Sequence, residues 1–180
     1  MRSFAALVGF VLLASAAPLA TPPPPAAGAT FAIAQAPVGA LTITVPAMAS
    51  LGGGPPGSAI SRQMGTVTVR DTRSASPNTW AVTVTATAFT TGAGTPAQTI
   101  PTTRVSYWSG PATRASGGGS LAPGQPTSAQ AQTLTAPRTA FRKISGNAPN
   151  RVSWQPTLVI SIPTGVATGL YSGRVTHSVS

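Results

Sequence analysis

Residues 78–89, NTWAVTVTATAF, alternate between apolar and polar or small side chains along their whole length. Successive side chains of an extended chain point to opposite faces, so every second residue shares a side. The residues on the predicted buried side are Trp80, Val82, Val84, Ala86 and Ala88. Thr83, Thr85 and Thr87 occupy the other side. This two-residue period, rich in Val and Thr, predicts a β-strand with one buried face.

Shorter segments of the same kind flank this strand, at 41–45, 64–73, 100–108, 133–144, 154–162 and 170–179. The chain has 19 Gly and 19 Pro residues, many of them between these segments, where they end one strand and allow a turn to the next. The pattern predicts an all-β fold, an antiparallel β-sandwich of about seven to eight strands with Ig-like or Greek-key topology.

Two features of the connections can also be predicted. Only a short turn separates residues 64–73 from residues 78–89, which favours a β-hairpin between the two strands. Residues 109–132 are rich in Gly, Ser, Ala, Pro and Gln and lack alternation. We expect them to form a long exposed excursion from the domain.

The N-terminal residues 1–20 have the composition of a signal peptide. Arg2 supplies the positive charge, and the apolar run 4–13 precedes small residues suited to cleavage. An uncleaved membrane anchor is the alternative, but such a span needs about 20 apolar residues. Residues 21–36 form a Pro/Ala-rich lead-in, and residues 37–180 form one domain. We therefore expect a secreted protein, extracellular or cell-wall-associated, with no stable membrane anchor after cleavage.

The balance of charges is the strongest guide to function. The chain has 11 Lys and Arg residues, one acidic residue (Asp71), one His and no Cys, for a formal net charge of +10. Acid–base catalysis by two carboxylates, thiolate chemistry and a structural zinc or calcium site all lack the side chains they need. The sequence predicts no enzyme and no cofactor. The positive field instead favours polyanions as partners, although nucleic acid does not suit an exported chain.

Several segments resemble the WxL domain, a family of Gram-positive cell-surface proteins named for two Trp-x-Leu motifs. Residues 70–73 (RDTR), followed after a turn by 79–84 (TWAVTV), resemble its first conserved block. Residues 41–46 (LTITVP) resemble its opening strand, and residues 169–179 (GLYSGRVTHSV) lie where the second motif would close the domain. In this chain the motifs read Trp80-x-Val82 and His177-x-Val179, so His replaces the second Trp. The resemblance implies export and non-covalent binding to peptidoglycan.

The candidate wall-binding or motif residues are Trp80, Val82, Trp108, His177, Val179, Arg142 and Lys143. Each also has a structural interpretation. Trp80 and His177 alternate in phase with apolar residues, which favours the core, and Trp108 either stacks on a sugar or closes one end of the sandwich. Arg142 and Lys143 lie in the densest basic stretch, 138–151. Asp71 is expected to accept hydrogen bonds from Arg73 and the local backbone.

Taken with the resemblance, these features predict a non-enzymatic exported surface protein that associates non-covalently with peptidoglycan or anionic cell-wall polymers. The alternative is a structural or adhesive surface subunit that assembles with other surface proteins through edge strands.

Overall fold

The computed structural model of the protein describes residues 39–74 and 77–180. The predicted signal peptide (1–20) and lead-in (21–36) lie outside the described residues. Among the helices of the described part, none is long and apolar enough to cross a membrane.

The described residues form fourteen strands and three short 3-10 turns. The strands are β1 (Leu41–Thr44), β2 (Ala59–Gln63), β3 (Val67–Asp71), β4 (Trp80–Ala86), β5 (Phe89–Thr90), β6 (Thr99–Ile100), β7 (Val105–Trp108), β8 (Ala112–Gly117), β9 (Ser120–Pro123), β10 (Gln132–Thr133), β11 (Arg138–Ser145), β12 (Asn150–Trp154), β13 (Thr157–Ser161) and β14 (Val175–Val179). The 3-10 turns are Pro96–Gln98, Thr102–Arg104 and Ser128–Gln130. The strand count exceeds the predicted one because several strands contain only two to four residues.

These strands build four antiparallel sheets, so the predicted all-β antiparallel sandwich is confirmed. Three sheets have four strands each, in the orders β1-β3-β12-β8, β10-β7-β13-β2 and β14-β4-β11-β9, and β5 pairs with β6. Side chains of the β14-β4-β11-β9 sheet meet both other large sheets across the core. Phe141 stacks on Trp154 with ring centroids 4.9 Å apart, and the Tyr107 hydroxyl lies 3.1 Å from His177 Nε2.

The two sheets on the other side of the core are joined three times along the chain. The chain passes from β2 to β3 through residues 64–66, from β7 to β8 through residues 109–111, and from β12 to β13 through residues 155–156. The Met64 amide donates to the Pro156 carbonyl at 2.9 Å, which ties the first and third of these links together. Because Pro156 has no amide proton of its own, the strand ladder is interrupted at this point. The two sheets therefore act as one layer with a break between them.

The buried side chains of the core include those that the alternation of residues 78–89 predicted. Trp80, Val82 and Val84 of β4 are buried, whereas the alternating Thr83 and Thr85 are only partly buried. Val67 and Val69 of β3 are also buried, in the other layer. The predicted inward face of the 78–89 segment is thus confirmed at Trp80, Val82 and Val84. The predicted continuation to residue 89 is wrong, because β4 ends at Ala86 and the buried Phe89 belongs to β5.

The predicted hairpin between β3 and β4 is wrong. β3 pairs with β1 and β12, whereas β4 pairs with β11 and β14 in another sheet. The connection crosses between layers and is held by side chains instead of a ladder. The Asn78 amide donates to the Arg73 carbonyl at 2.8 Å, and Arg73 Nη2 donates to the Thr79 carbonyl at 2.9 Å. This crossing allows β3 and β4 to contribute their buried Val side chains to one core from different layers.

The predicted excursion at 109–132 is exposed along much of its length, but it is not free of regular structure. It contains β8, β9 and the start of β10, which pair with β12, β11 and β7. All six residues of β8 are exposed, so it contributes little apolar surface to the core. β8 is held by backbone hydrogen bonds to β12. Such pairing does not require alternating apolar residues, so the sequence pattern did not predict this strand.

Candidate functional site

The two segments that resemble the WxL motifs lie side by side. β14 pairs antiparallel with β4, with Val179 opposite Val82 and His177 opposite Val84. Trp80, Val82, His177 and Val179 all point inward and are at most 8% exposed. Their side chains form core, which agrees with the structural interpretation of Trp80 and His177.

His177 and Tyr107 form the most deeply buried polar pair on this face. Burial lowers the pKa of His177 to about 4, because the charged imidazolium loses its hydration. Burial also raises the pKa of the Tyr107 phenol well above its usual range. At neutral pH both groups are therefore uncharged, and the Tyr107 hydroxyl can donate to unprotonated Nε2 across 3.1 Å. The pair therefore forms a hydrogen bond between two sheets across the core.

Asp71, the single acidic residue, lies on the inner face of β3 and is 1% exposed. Its Oδ1 accepts the Arg73 backbone amide at 3.0 Å and Arg73 Nε at 2.9 Å, and its Oδ2 accepts Arg73 Nη2 at 3.0 Å. This two-pronged ion pair anchors the crossing from β3 to β4. The sequence-based interpretation of Asp71 as a structural residue is supported.

The remaining candidates separate into exposed and buried residues. Trp108 is half-buried and lies over Gly110 at the end of β7, while its neighbour Tyr107 points into the core. Arg142 is exposed on the outer side of β11. Lys143 is 2% exposed, and its ammonium donates to the Ala148 carbonyl at 2.7 Å. Lys143 therefore does not accompany Arg142 on the surface.

Gly119 explains how the Lys143 side chain is enclosed. This residue lies between β8 and β9 with a φ of +106°, and a Cβ there would collide with Lys143 and with the Ser145 carbonyl. A glycine is needed for this backbone to pass over the lysine stem.

A basic surface that sequence reasoning missed is formed by Arg70, Arg114 and Arg151, which we term the arginine face. Arg70 of β3 lies directly opposite Arg151 of β12. Arg114 of β8 pairs with Ser153, which places it diagonally from Arg151 on the same side of the sheet. All three side chains are exposed, and their guanidinium groups have no hydrogen-bond or ion-pair partner among the described residues.

The surroundings of the arginine face are polar and uncharged. Thr42 lies opposite Arg70 on β1, and Thr68 and Ser153 share a 2.9 Å hydroxyl contact beside the arginines. Directly opposed residues of an antiparallel pair have Cβ atoms about 5 Å apart, and like charges in that arrangement destabilise the sheet. The single side-chain carboxylate, that of Asp71, lies on the inner side of β3 and is bound to Arg73, so it does not neutralise this face.

Such an arrangement is suited to anions. Guanidinium groups bind phosphate or carboxylate through two parallel hydrogen bonds, and an anion between Arg70 and Arg151 would remove their mutual repulsion. The sequence indicates one part of this face. Arg70 alternates in step with Thr66 and Thr68, so it belongs to the polar side of its strand. The sequence does not show that Arg151, 81 positions away, lies opposite (151 − 70).

No protein-family model matches the chain, and searches of curated proteins and of solved structures found no significant match.

Proposed function

We propose that this chain is a non-enzymatic exported protein that associates non-covalently with the cell wall, and that the arginine face binds phosphate groups of anionic wall polymers. The opposed Arg70–Arg151 pair carries this proposal. The resemblance of residues 70–84 and 169–179 to the WxL domain supports a wall location, and the near absence of carboxylates argues against catalysis.

The geometry favours a repeating anion over an uncharged glycan. Three arginines on adjacent strands present their donors on one face of the sheet, whereas the aromatic side chains that could stack on a sugar lie elsewhere. Trp80 and Trp154 are buried, and Trp108 is half-buried on a different sheet. A polymer with regularly spaced phosphates could contact more than one arginine at once, and such multivalent contacts increase affinity without a deep pocket.

Replacing both Arg70 and Arg151 by Gln is expected to weaken binding to purified walls about tenfold at low salt, through loss of charge-assisted hydrogen bonds. Sedimentation of the protein with walls, with and without their anionic polymers, measures the effect. Binding by the unmodified protein should also fall steeply as salt rises, because exposed charges are screened.

The matched control is Arg62→Gln combined with Arg104→Gln, which also removes two exposed positive charges, both outside the arginine face. It should bind walls nearly as well as the unmodified protein. Equal loss in both variants would show that only net charge matters. Retention on walls stripped of anionic polymers would exclude them as the ligand.

Assembly through an edge strand is a second candidate function, favoured by β8. Within residues 39–74 and 77–180 this strand pairs only with β12, which leaves its other edge open there, and all six of its residues are exposed. An open edge can accept a strand from another chain. A molar mass that rises with protein concentration in light scattering, without walls present, would support assembly.

A further inference from the structure

At the end of the sandwich away from Asp71, the structure contains a large apolar cavity. Its volume is about 920 Å³, within the range of small-molecule sites. Its inner wall is built from core side chains of β3, β5, β6 and β13, namely Val67, Phe89, Ile100, Leu158 and Ile160. At this end of the sandwich the inner faces of these strands therefore line a cavity instead of packing against another sheet.

Two loop segments frame the mouth of this cavity. One follows β1 and comprises residues 45–54, and the other precedes β14 and comprises residues 166–174. The second is tied down, because the Ala167 amide donates to the Ala97 carbonyl at 2.7 Å and Ser172 pairs with Thr90. Met48 of the first loop and Leu170 of the second are 82% and 90% exposed at the rim. Apolar side chains thus line the cavity and continue onto its edge.

The charge at the mouth is positive. Arg174 is exposed and lines the cavity, and Arg62 Nε lies 3.9 Å from the position a Cβ on Gly52 would occupy. No side-chain carboxylate is near, since Asp71 is the only one in the chain and pairs with Leu41 at the far end of β1. A ligand with an apolar body and an anionic head would match the interior and the rim together.

We propose that this cavity binds a single-chain anionic amphiphile of the fatty-acid type, with its alkyl chain against Leu158 and Ile160 and its carboxylate near Arg62 and Arg174. The volume and apolar lining suit one flexible chain, and the cationic rim selects the sign of the head group. This site lies at the opposite end of the sandwich from Asp71 and involves none of the arginines proposed to bind the wall.

The test is displacement of a fluorescent dansyl-undecanoate from the full chain by unlabelled fatty acids, with native mass spectrometry to count bound molecules. We expect saturable binding of one molecule per chain. Affinity should rise about two- to fourfold for each added methylene until the cavity is full. Palmitate should bind at least about tenfold more tightly than hexadecanol or the hexadecyltrimethylammonium cation, which share its chain length.

Two variants fill the cavity by different routes. Val166→Trp adds bulk from the second loop, and Gly53→Phe adds it from the first, where a Cβ on Gly53 meets nothing within 4 Å. Each is expected to weaken palmitate binding about tenfold while leaving the circular dichroism unchanged. Gly53→Phe keeps the test decisive even if Val166→Trp fails to fold.

The rim is tested separately with Arg62→Gln combined with Arg174→Gln, against Arg70→Gln as a control on the arginine face. The rim variant should lose the preference for palmitate over hexadecanol, and the control should keep it. The proposal is overturned by an absence of saturable binding, by equal affinity for the cationic amphiphile, or by dimerisation that buries the mouth. Flotation with phosphatidylglycerol vesicles without binding of single chains would also overturn it, in favour of a membrane surface.

Discussion

Asp71→Asn is expected to lower the free energy of unfolding by about 2–3 kcal/mol, because it removes charge-assisted hydrogen bonds between a buried carboxylate and Arg73, whose side chain is 30% exposed. The Asn oxygen can still accept the Arg73 backbone amide, but its NH₂ group would face Arg73 Nη2, donor against donor. Arg73 Nη2 would then retain only the Thr79 carbonyl. The crossing between the two layers would lose its main anchor.

Thermal unfolding measures this effect, and a loss of this size corresponds to a fall in melting temperature of roughly 10 °C. Arg104→Gln, which also changes one charge but on the surface, should melt close to the unmodified protein. A double-mutant cycle with Arg73→Gln isolates the pair itself. At temperatures well below melting, Asp71→Asn should still bind walls. Equal melting temperatures for Asp71→Asn and the unmodified protein would contradict the structural role of this carboxylate.

Acidification from pH 6.5 to pH 4 is expected to destabilise the protein by about 3 kcal/mol through His177 alone. The unfolded chain binds a proton at His177 near pH 6.5, whereas the folded protein resists protonation until pH falls to about 4. The unfolded state therefore holds more protons within this window, so stability falls with pH and levels off below it. The cause is burial, since His177 is 4% exposed beside Tyr107.

His177→Gln provides the comparison, because Gln can accept the Tyr107 hydroxyl without titrating. Urea unfolding at several pH values between 7 and 4 should show a smaller loss of stability in the variant. The chain is well suited to this measurement, since it has one His and one acidic residue. Parallel stability curves for the two proteins would show that His177 titrates normally in the folded state.

Local alternation predicted the inward face of β4 because the period of a strand is a property of consecutive residues. The burial of Trp80, Val82 and Val84 could be predicted without knowing which residues lie near them in space. The β3–β4 connection was not predictable in the same way. A short link between two strands is compatible with a hairpin or with a crossing between layers, and the side chains of Asp71, Arg73 and Asn78 stabilise the crossing.

In the candidate site, too, some features could be predicted from consecutive residues and others depend on strand pairing. Exposure of Arg70 follows from its phase in the strand, but its position opposite Arg151 depends on the pairing of β3 with β12. Lys143 lies in a basic stretch that suggested a surface role, yet the link between β8 and β9 folds over it. The apolar cavity brings together two loops with no periodic pattern, so no local signal predicted it.

The amino-acid sequence by itself determined the side chains available to this protein: a β-rich chain with excess positive charge, one acidic residue, one His and no Cys. Net charge and residue counts are sums over the whole chain, and strand alternation is a pattern of consecutive residues. Neither depends on which strands pair. Only the tertiary structure decided that two distant arginines face each other, that one lysine is buried, and that the core stays open at one end. Each of these depends on strand partners and register, which are set by contacts between residues far apart in the chain.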